Sequence, residues 1–194
     1  MRTASLSIAA LAAGFAGLAT LSGQPPAGAK ADTAESAELA KFRGEWEFWK
    51  LDLPPGEPDD AVPPGLLKAV RLSVHGDRLT ASLHSSSRGV RPNVKHALIK
   101  LDPAKSPAQI DLTHATDTFV PLRTRPTAGK SREPLLNVTP GIYKFETDTL
   151  VVAVPTLPEG GRPTEFKTIA PKNPTGTRAE QAGVALAYLV RVTK

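Results

Sequence analysis

Apolar and polar residues alternate with a period of two along most of the chain, as expected for strands with one buried face. The clearest example is a hairpin in which 70–74 and 79–83 both alternate, with Gly76-Asp77 as the turn between them. A helical period is almost absent, and we expect a single short helix or a frayed lead-in over Asp32 to Lys41. The pattern therefore predicts an all-β fold.

The densest group of aromatic residues lies in the first predicted strand, which begins near Gly44. Alternation places Trp46, Phe48 and Lys50 on one face, and we expect Trp46 and Phe48 to point inward. Glycine at position 44 suits a place where another segment approaches the backbone closely. The proline-rich range 52–65 follows and predicts a loop, because proline cannot donate to a strand ladder.

Further alternating runs predict strands at 94–101, 110–112, 141–145, 150–154 and 184–192, with 164–167 as a ninth candidate. Between them we expect a long mobile loop at 117–134, which carries Arg123, Arg125, Lys130 and Arg132, and an irregular stretch at 170–183. Eight or nine short strands with turns every eight to twelve residues favour a meandering barrel or a sandwich.

The side chains that we expect in the interior are mostly medium-sized aliphatic residues with four aromatic ones. They are Trp46, Phe48, Val70, Leu72, Val74, Leu79, Ala81, Leu83, Ile99, Leu101, Ile110, Leu112, Tyr143, Phe145, Leu150, Val152 and Val154. One alanine and no glycine stand in this set, so it predicts a largely filled interior with a small cavity at one end.

The N-terminus has the three parts of a secretory signal peptide. Arg2 supplies a positive charge, Leu6 to Leu21 is an uncharged apolar run, and Ala27-Gly28-Ala29 is one of two small-x-small cleavage sites. The run is short and rich in alanine and glycine, which favours a cleaved signal over a membrane anchor. We therefore expect residues 1–31 to be the signal and cleavage region and residues 32–194 to form one domain.

The absence of cysteine and the modest charge limit the partners of the mature protein. The stretch Leu21-Ser22-Gly23-Gln24 is similar to a lipoprotein box in which glutamine replaces the lipid-bearing cysteine, and the chain has no cysteine at all. We expect an exported protein, periplasmic or extracellular, that is soluble, not lipidated and without stable membrane insertion after signal cleavage. The net charge of +5 includes no run of five basic residues, so we expect no nucleic-acid partner.

Residues with catalytic or metal-binding chemistry do not form a constellation in the sequence. The chain has four histidines: His75, His84, His96 and His114. They lack the spacing of metal ligands, and we expect them at the surface. The serines after His84 come without a nucleophile elbow, and Asp59-Asp60 lacks the rest of a calcium loop. We therefore expect a protein that is not an enzyme and that needs no metal and no cofactor.

Five motifs follow one another along the chain: Gly44-Glu45-Trp46 with its lead-in from Leu39, His75-Gly76-Asp77, 100–103 with 110–113, Gly141-Ile142-Tyr143 with Asp148-Thr149-Leu150, and Arg162-Pro163-Thr164-Glu165-Phe166. In this order they resemble a lipocalin-like domain family that is abundant in Planctomycetes. The resemblance covers residues 39–192, although 117–134 and 170–183 are longer than the family suggests. It implies an exported, antiparallel meander barrel of about eight strands with a short N-terminal helical lead-in. It implies no activity and no catalytic residue.

The resemblance also implies how one end of the barrel is closed. In lipocalin-like barrels a basic residue of the last strand commonly packs over the tryptophan of the Gly-x-Trp motif. Here this implies Gly44, Trp46 and Arg191 as the closure residues, with the guanidinium over the indole ring. From its position alone, Arg191 fits equally well as an outward charge on a terminal strand.

Two functions of different classes fit such a barrel, because an eight-stranded interior is either filled or just wide enough for one small ligand. The first is binding of a small apolar ligand, with Trp46, Phe48, Tyr143 and Phe145 as the ligand-contacting wall. The alternative is a cell-envelope protein-protein interaction or scaffold module with a side-chain-filled barrel, recognised by an envelope protein through the basic loops. Small residues that face each other inside favour the binder, and large ones favour the scaffold.

Overall fold

The structure, a computed structural model, describes residues 33–56, 64–83, 93–124, 135–157, 159–173 and 175–193. The expected signal peptide, Asp59-Asp60 and His84 lie outside these ranges. The elements in chain order are α1 (Thr33–Phe42), β1 (Gly44–Asp52), α2 (Pro64–Ala69), β2 (Val70–His75), β3 (Arg78–Leu83), β4 (Asn93–Asp102), β5 (Gln109–Ala115), β6 (Arg123–Thr124), β7 (Leu135–Leu136), β8 (Val138–Glu146), β9 (Thr149–Pro155) and β10 (Val184–Arg191).

Eight of the strands form a closed antiparallel barrel in the order β1-β10-β9-β8-β5-β4-β3-β2. Consecutive strands pair from β1 to β5 and from β8 to β10, β5 pairs with β8, and β10 pairs with β1. The strands β6 and β7, which lie between β5 and β8 in the chain, form a separate two-stranded sheet. The predicted lipocalin-like all-β barrel of about eight strands, with one short lead-in helix, is confirmed. Closure leaves no exposed strand edge in the barrel.

The barrel has two ends that differ in what covers them. The α1 end carries α1, the start of β1 and the end of β10, and the backbone N–H of Leu101 donates to Glu35 of α1 at 3.2 Å. The α2 end carries α2, from which Leu67 packs against the interior side chains. We expected no helix at α2, because six residues after a proline-rich loop give too little pattern to distinguish a helix from a loop.

The interior is one cluster of apolar side chains to which every barrel strand contributes. All predicted interior residues except Leu83 belong to this cluster or pack against it, whereas Leu83 is half-buried and outside it. The prediction missed four buried members of the cluster, which are Phe42, Ala97, Ala187 and Leu189. Ala97 lies at the same alternating interval as Ile99 and Leu101, so its signal was present in the sequence, whereas the predicted interior set names no residue of β10 and therefore missed Ala187 and Leu189.

A β-bulge at Trp49 corrects the predicted face of Lys50. The pairing of β1 with β10 shifts between Phe48 and Lys50, so Trp49 is an extra residue in β1. Beyond the bulge the alternation reverses: Lys50 is exposed, and Leu51 packs against the interior cluster. Simple alternation fails here because a bulge moves all later side chains to the opposite face.

The segment 156–183, called the outer segment below, covers part of the outer surface of the barrel. Its Phe166 packs on a second apolar cluster formed by Ile142, Ala153, Val184 and Leu186. These four residues alternate with inward ones on β8, β9 and β10, and so they face outward. The run 164–167 is irregular and does not form the ninth strand that we considered.

The described part of the predicted mobile loop at 117–134 is hydrogen-bonded to the barrel. The backbone N–H of Leu122 donates to His114 O at 2.8 Å, and that of Asn137 donates to Leu122 O at 3.0 Å. Residues 123–124 then pair with 135–136. The described residues 117–124 thus form a loop that is hydrogen-bonded to the barrel and ends in the short strand β6, which was not predicted because its hydrogen bonds depend on distant partners that do not produce a periodic pattern.

Candidate functional site

The α1 end of the barrel is packed with aromatic rings. Phe42 makes edge-to-face contacts with Tyr143, at 5.0 Å between centroids, and with Phe145, at 5.2 Å. Trp46 and Tyr143 each lie 6.3 Å from Phe145. We call these four residues the aromatic cluster. Edge-to-face rings at these distances pack favourably, so the cluster fills this end with side chains.

The closure residues meet at the same end. The guanidinium carbon of Arg191 lies 4.4 Å from the centroid of the Trp46 ring, so the expected contact between them is present. The same guanidinium donates to the backbone carbonyls of Arg43, at 2.6 Å, and of Lys41. A Cβ atom at Gly44 would lie 3.0 Å from this guanidinium, and the φ of +125° also favours glycine. Arg191 therefore connects β10 to the joint between α1 and β1.

The Trp46 side chain is also held from the helix side. Its indole N–H donates to the carbonyl oxygen of Phe42, the last residue of α1, at 2.7 Å. The ring is thus fixed at one edge by a hydrogen bond and on one face by Arg191. These interactions assign Trp46 to the closed end, and contact of Trp46 with a ligand stays a prediction.

The Tyr143 hydroxyl is buried within the aromatic cluster and has no hydrogen-bond partner among the described residues. Burial raises the pKa of this hydroxyl far above its ordinary value, and the negative charges of Glu38, Asp102 and Glu35 act in the same direction. Glu38 is near enough to act electrostatically but does not satisfy hydrogen-bond geometry with the hydroxyl. Tyr143 is therefore a neutral phenol at physiological pH.

Of the four residues proposed as ligand wall, three belong to the aromatic cluster and one does not. Phe48 lies one inward position further along β1 than Trp46, and it is buried in the interior. Phe145 is half-buried and packs against the same interior cluster. The structure thus brings Trp46, Tyr143 and Phe145 together at the α1 end and leaves Phe48 nearer the middle of the barrel.

Interior side chains become smaller toward the α2 end. Ala97 and Ala187 belong to the interior cluster, and Ala81 packs against it. Ala185 is buried and shares the inward face of β10 with Ala187, because side chains two apart point the same way. Alanine therefore occupies inward positions on three different strands, in contrast to the four rings at the α1 end.

A hydrogen-bonded pair of polar side chains lies on this inward surface. Nε2 of His114 lies 3.0 Å from Oγ1 of Thr139, and Thr139 is only 5% exposed. His114 continues the inward series of Ile110 and Leu112 on β5, and Thr139 pairs with Leu112 across β5 and β8. We call His114 and Thr139 the polar pair. Burying polar groups costs free energy. A polar pair among alanines therefore makes this surface chemically different from the apolar rest of the interior.

His114 also corrects the expectation that all histidines lie at the surface. Burial lowers the pKa of His114, and the positive charge of Lys95 lowers it further. Its inward position was readable from the sequence, because His114 follows Ile110 and Leu112 at intervals of two. By contrast, His96 points away from the interior, where it contacts Thr80 at 3.2 Å and Phe119.

Lys95 lies at an inward position of β4, two residues before Ala97 and opposite Ala81 of β3. It is half-buried, and its charge acts on His114 of the neighbouring strand β5. Lys95 was not among the predicted interior residues, although it stands at the same alternating interval as Ile99 and Leu101. Lys95 and the polar pair together form the candidate site at the α2 end.

The remaining chemistry-bearing residues show structural roles. Arg162 of the outer segment donates to the backbone oxygens of Ile110, at 3.0 Å, and Gly141, at 2.6 Å, and pairs with Asp111 at 2.5 Å. Glu47 pairs with Arg71 on the outside of the barrel. Within the ranges that the structure describes, no three His, Cys, Asp or Glu side chains are grouped so that they could hold a metal ion.

Comparison with known proteins adds no family assignment. No family model, no curated protein and no solved structure matches the chain. The resemblance described above therefore stays a prediction. The helices that the structure describes include none that is long and apolar enough to cross a membrane.

Proposed function

We propose that this protein binds a small, largely apolar molecule inside the barrel, at the α2 end. The observation that carries the proposal is the contrast between the two ends: four rings fill the α1 end, whereas alanines and a polar pair line the interior at the α2 end. Ligand pockets are typically apolar with a few placed polar groups. Facing small residues are the feature that favours a binder over a filled barrel.

An uncharged fluorescent probe, N-phenyl-1-naphthylamine, tests this proposal, because its emission rises when it enters an apolar site. We expect saturable binding to the wild type and loss of most of the enhancement in Ala97→Phe and Ala187→Phe, where a ring would occupy the interior. Ala187→Val adds less volume and should weaken binding less. This graded response distinguishes filling of the site from a loss of binding caused by misfolding. Circular dichroism and the melting temperature check the fold of each variant.

Ala104→Phe provides a matched control, since Ala104 is exposed in the turn after β4 and receives the same added volume outside the barrel. It should bind the probe as the wild type does. Native mass spectrometry of the protein purified from its source gives a second readout, because a bound small molecule would add a defined mass. A wild type that neither binds the probe nor carries an added mass would contradict the proposal.

A second candidate function, protein-protein interaction in the cell envelope, has one observation in its favour. Trp49 is 66% exposed on the bulge of β1, and its ring contacts Tyr188 edge-on at 6.2 Å. Exposed aromatic side chains are enriched in protein interfaces. If this is the function, Trp49→Ala should abolish assembly with the partner while the barrel binds no probe.

A further inference from the structure

Trp49 and Lys50 are neighbours in the chain, and both side chains are exposed on the outer surface of the barrel. Trp49 is outward because it follows the inward Phe48, and the bulge at Trp49 makes Lys50 outward as well. A regular strand would have turned one of the two inward. The bulge therefore places an indole and an ammonium group side by side, and bulges often occur next to functional sites because they redirect side chains in this way.

Two further outward side chains join this pair. Tyr188 of β10 lies opposite Lys50 in the register of the two strands, and its ring contacts the Trp49 ring edge-on. Lys50 Nζ lies 5.3 Å from the centroid of the Tyr188 ring and donates to the carboxylate of Asp52 at 3.0 Å. We call Trp49, Lys50, Asp52 and Tyr188 the Trp49 face.

The charges of the Trp49 face balance one another. Asp52 forms an ion pair with Lys50. Burial raises the pKa of Tyr188, and Asp52 raises it further through its negative charge and a hydrogen bond with the Tyr188 side chain, so the phenol is neutral at physiological pH. The face thus offers an ammonium, a carboxylate and a phenol without net charge. Such a set of donors and acceptors fits a neutral ligand with several hydroxyl groups better than it fits an anion or a cation.

The indole of Trp49 is open to solvent beside these polar groups. Among the residues that the structure describes, Trp49 is the most exposed large apolar side chain. Its outward neighbours on β1 are Glu47, Lys50 and Asp52, all of which are charged. One ring among charged groups lacks the several apolar residues that form the centre of a protein interface. Its area corresponds instead to that of a single sugar ring.

We propose that the Trp49 face binds a neutral glycan, with one sugar ring stacked on the indole and its hydroxyl groups hydrogen-bonded to Lys50 and Asp52. The C–H groups on one face of a sugar ring carry partial positive charge and pack against the negative face of an aromatic ring. The hydroxyl groups at the edge of the sugar both donate and accept, and here Lys50 supplies donors and Asp52 acceptors. This site lies outside the barrel and is separate from the interior site proposed above.

Tryptophan fluorescence tests the proposal, because Trp46 is buried and a stacked sugar would cover only Trp49. The probes are β-1,4-linked hexasaccharides of glucose, of N-acetylglucosamine and of mannose, with a hexamer of galacturonic acid as the charged comparison. We expect a saturable blue shift of the emission with at least one of the three neutral probes, and a weaker response to the galacturonic acid hexamer.

Isothermal titration calorimetry with the neutral probe that binds best compares the variants, since it does not depend on tryptophan. Trp49→Ala should weaken binding about tenfold, the effect expected from the loss of one stacking ring. Trp49→Phe keeps a smaller ring and should weaken binding less. Asp52→Asn removes the charged acceptor and should weaken binding about threefold.

Val120→Ala is the matched control, since Val120 is an exposed apolar residue after β5 and does not belong to the Trp49 face. It should bind the glycan as the wild type does, and so should Ala97→Phe, whose added ring lies inside the barrel. Absence of binding to all three neutral probes, unchanged affinity in Trp49→Ala, or a preference for the galacturonic acid hexamer would overturn this inference and leave the interior site intact. If the wild type bound no glycan and Trp49→Ala prevented assembly with a second protein, the Trp49 face would be a protein interface instead.

Discussion

The Tyr143 hydroxyl illustrates how a single polar atom can work against the core that surrounds it. It is buried among aromatic rings and lacks a hydrogen-bond partner in the described part of the chain. A buried hydroxyl that loses its water without gaining a partner costs about 1–3 kcal/mol. The ring of Tyr143, by contrast, packs edge-on against Phe42 and contributes to the closed end.

We therefore expect Tyr143→Phe to be more stable than the wild type, because the substitution keeps the ring and removes the unpartnered oxygen. The free energy of unfolding should rise by about 1 kcal/mol, measured by urea denaturation at neutral pH. Tyr188→Phe is the control, since Tyr188 is half-buried on the outer surface and its replacement should change little. A loss of stability in Tyr143→Phe would show that Glu38 accepts a hydrogen bond from this hydroxyl in solution.

At the scale of the elements, the β-bulge at Trp49 shows where alternation in the sequence predicts the face of a side chain and where it fails. Alternation identified every barrel strand and most of its inward residues because each strand has one apolar face. The bulge reversed the faces of Lys50 and Leu51, since the extra residue is fixed by pairing with β10, about 140 positions away in the chain. The short helix α2 was missed for a related reason, because one turn of helix is stabilised by packing rather than by pattern.

The candidate site was less predictable than the fold. Aromatic residues were predicted to form the ligand wall, whereas most of them close the α1 end in the structure. His114 stood at an inward interval of β5 but was expected at the surface, and Lys95 was not predicted to have any role. Their proximity depends on the register between β4 and β5, in which Ala97 lies opposite His114. Register is not readable from one strand at a time.

The outer segment is attached to the barrel by the Arg162 and Phe166 side chains and by two backbone hydrogen bonds between Ile169 and Val184. Arg162 joins it to the backbone of β5 and β8 and to Asp111, and Phe166 covers the outer apolar cluster. Gly141 is needed where β8 and β9 approach each other closely, because a Cβ atom at this position would lie 2.8 Å from the carbonyl oxygen of Ala153. Hydrogen bonds to a charged group are individually worth about 1.5–3 kcal/mol.

We expect Arg162→Ala to loosen the outer segment. The free energy of unfolding should fall by about 2 kcal/mol, because two hydrogen bonds to carbonyls and an ion pair are lost together. Hydrogen exchange followed by mass spectrometry should show faster exchange at 159–173, while β2 to β4 exchange as before. The matched control is Arg178→Ala in the same segment, whose pair with Glu159 is largely exposed and contributes little. Equal effects of the two variants would contradict the anchoring role of Arg162.

At the scale of the whole molecule, the two ends of the barrel have separate tasks. Arg191 is the last residue of β10 and Ala185 lies six positions earlier, which corresponds to about 20 Å along a strand. Lys95 and Leu101 are separated by the same number of positions on β4. Because the stabilising contacts lie at the α1 end and the candidate site at the α2 end, stability and ligand binding should respond to different substitutions.

A double substitution tests this separation. Arg191→Ala removes the contact over Trp46 and two hydrogen bonds to carbonyls, so the free energy of unfolding should fall by about 2 kcal/mol. The affinity for N-phenyl-1-naphthylamine should be unchanged in this variant. Ala187→Val should weaken probe binding and leave the melting temperature within a few degrees of the wild type, because the proposed site has room for two more methyl groups.

The two effects should add in the variant that carries both substitutions, since residues more than about 10 Å apart without shared partners rarely interact energetically. Urea denaturation and titration with N-phenyl-1-naphthylamine on the same four proteins measure both quantities. Arg191→Lys serves as the intermediate case, because an ammonium keeps the charge near the indole but cannot reproduce the two-pronged contact with the carbonyls of Arg43 and Lys41. If Arg191→Ala also changed the affinity for the probe, the closed end would be part of the ligand site, and the aromatic cluster would then line that site.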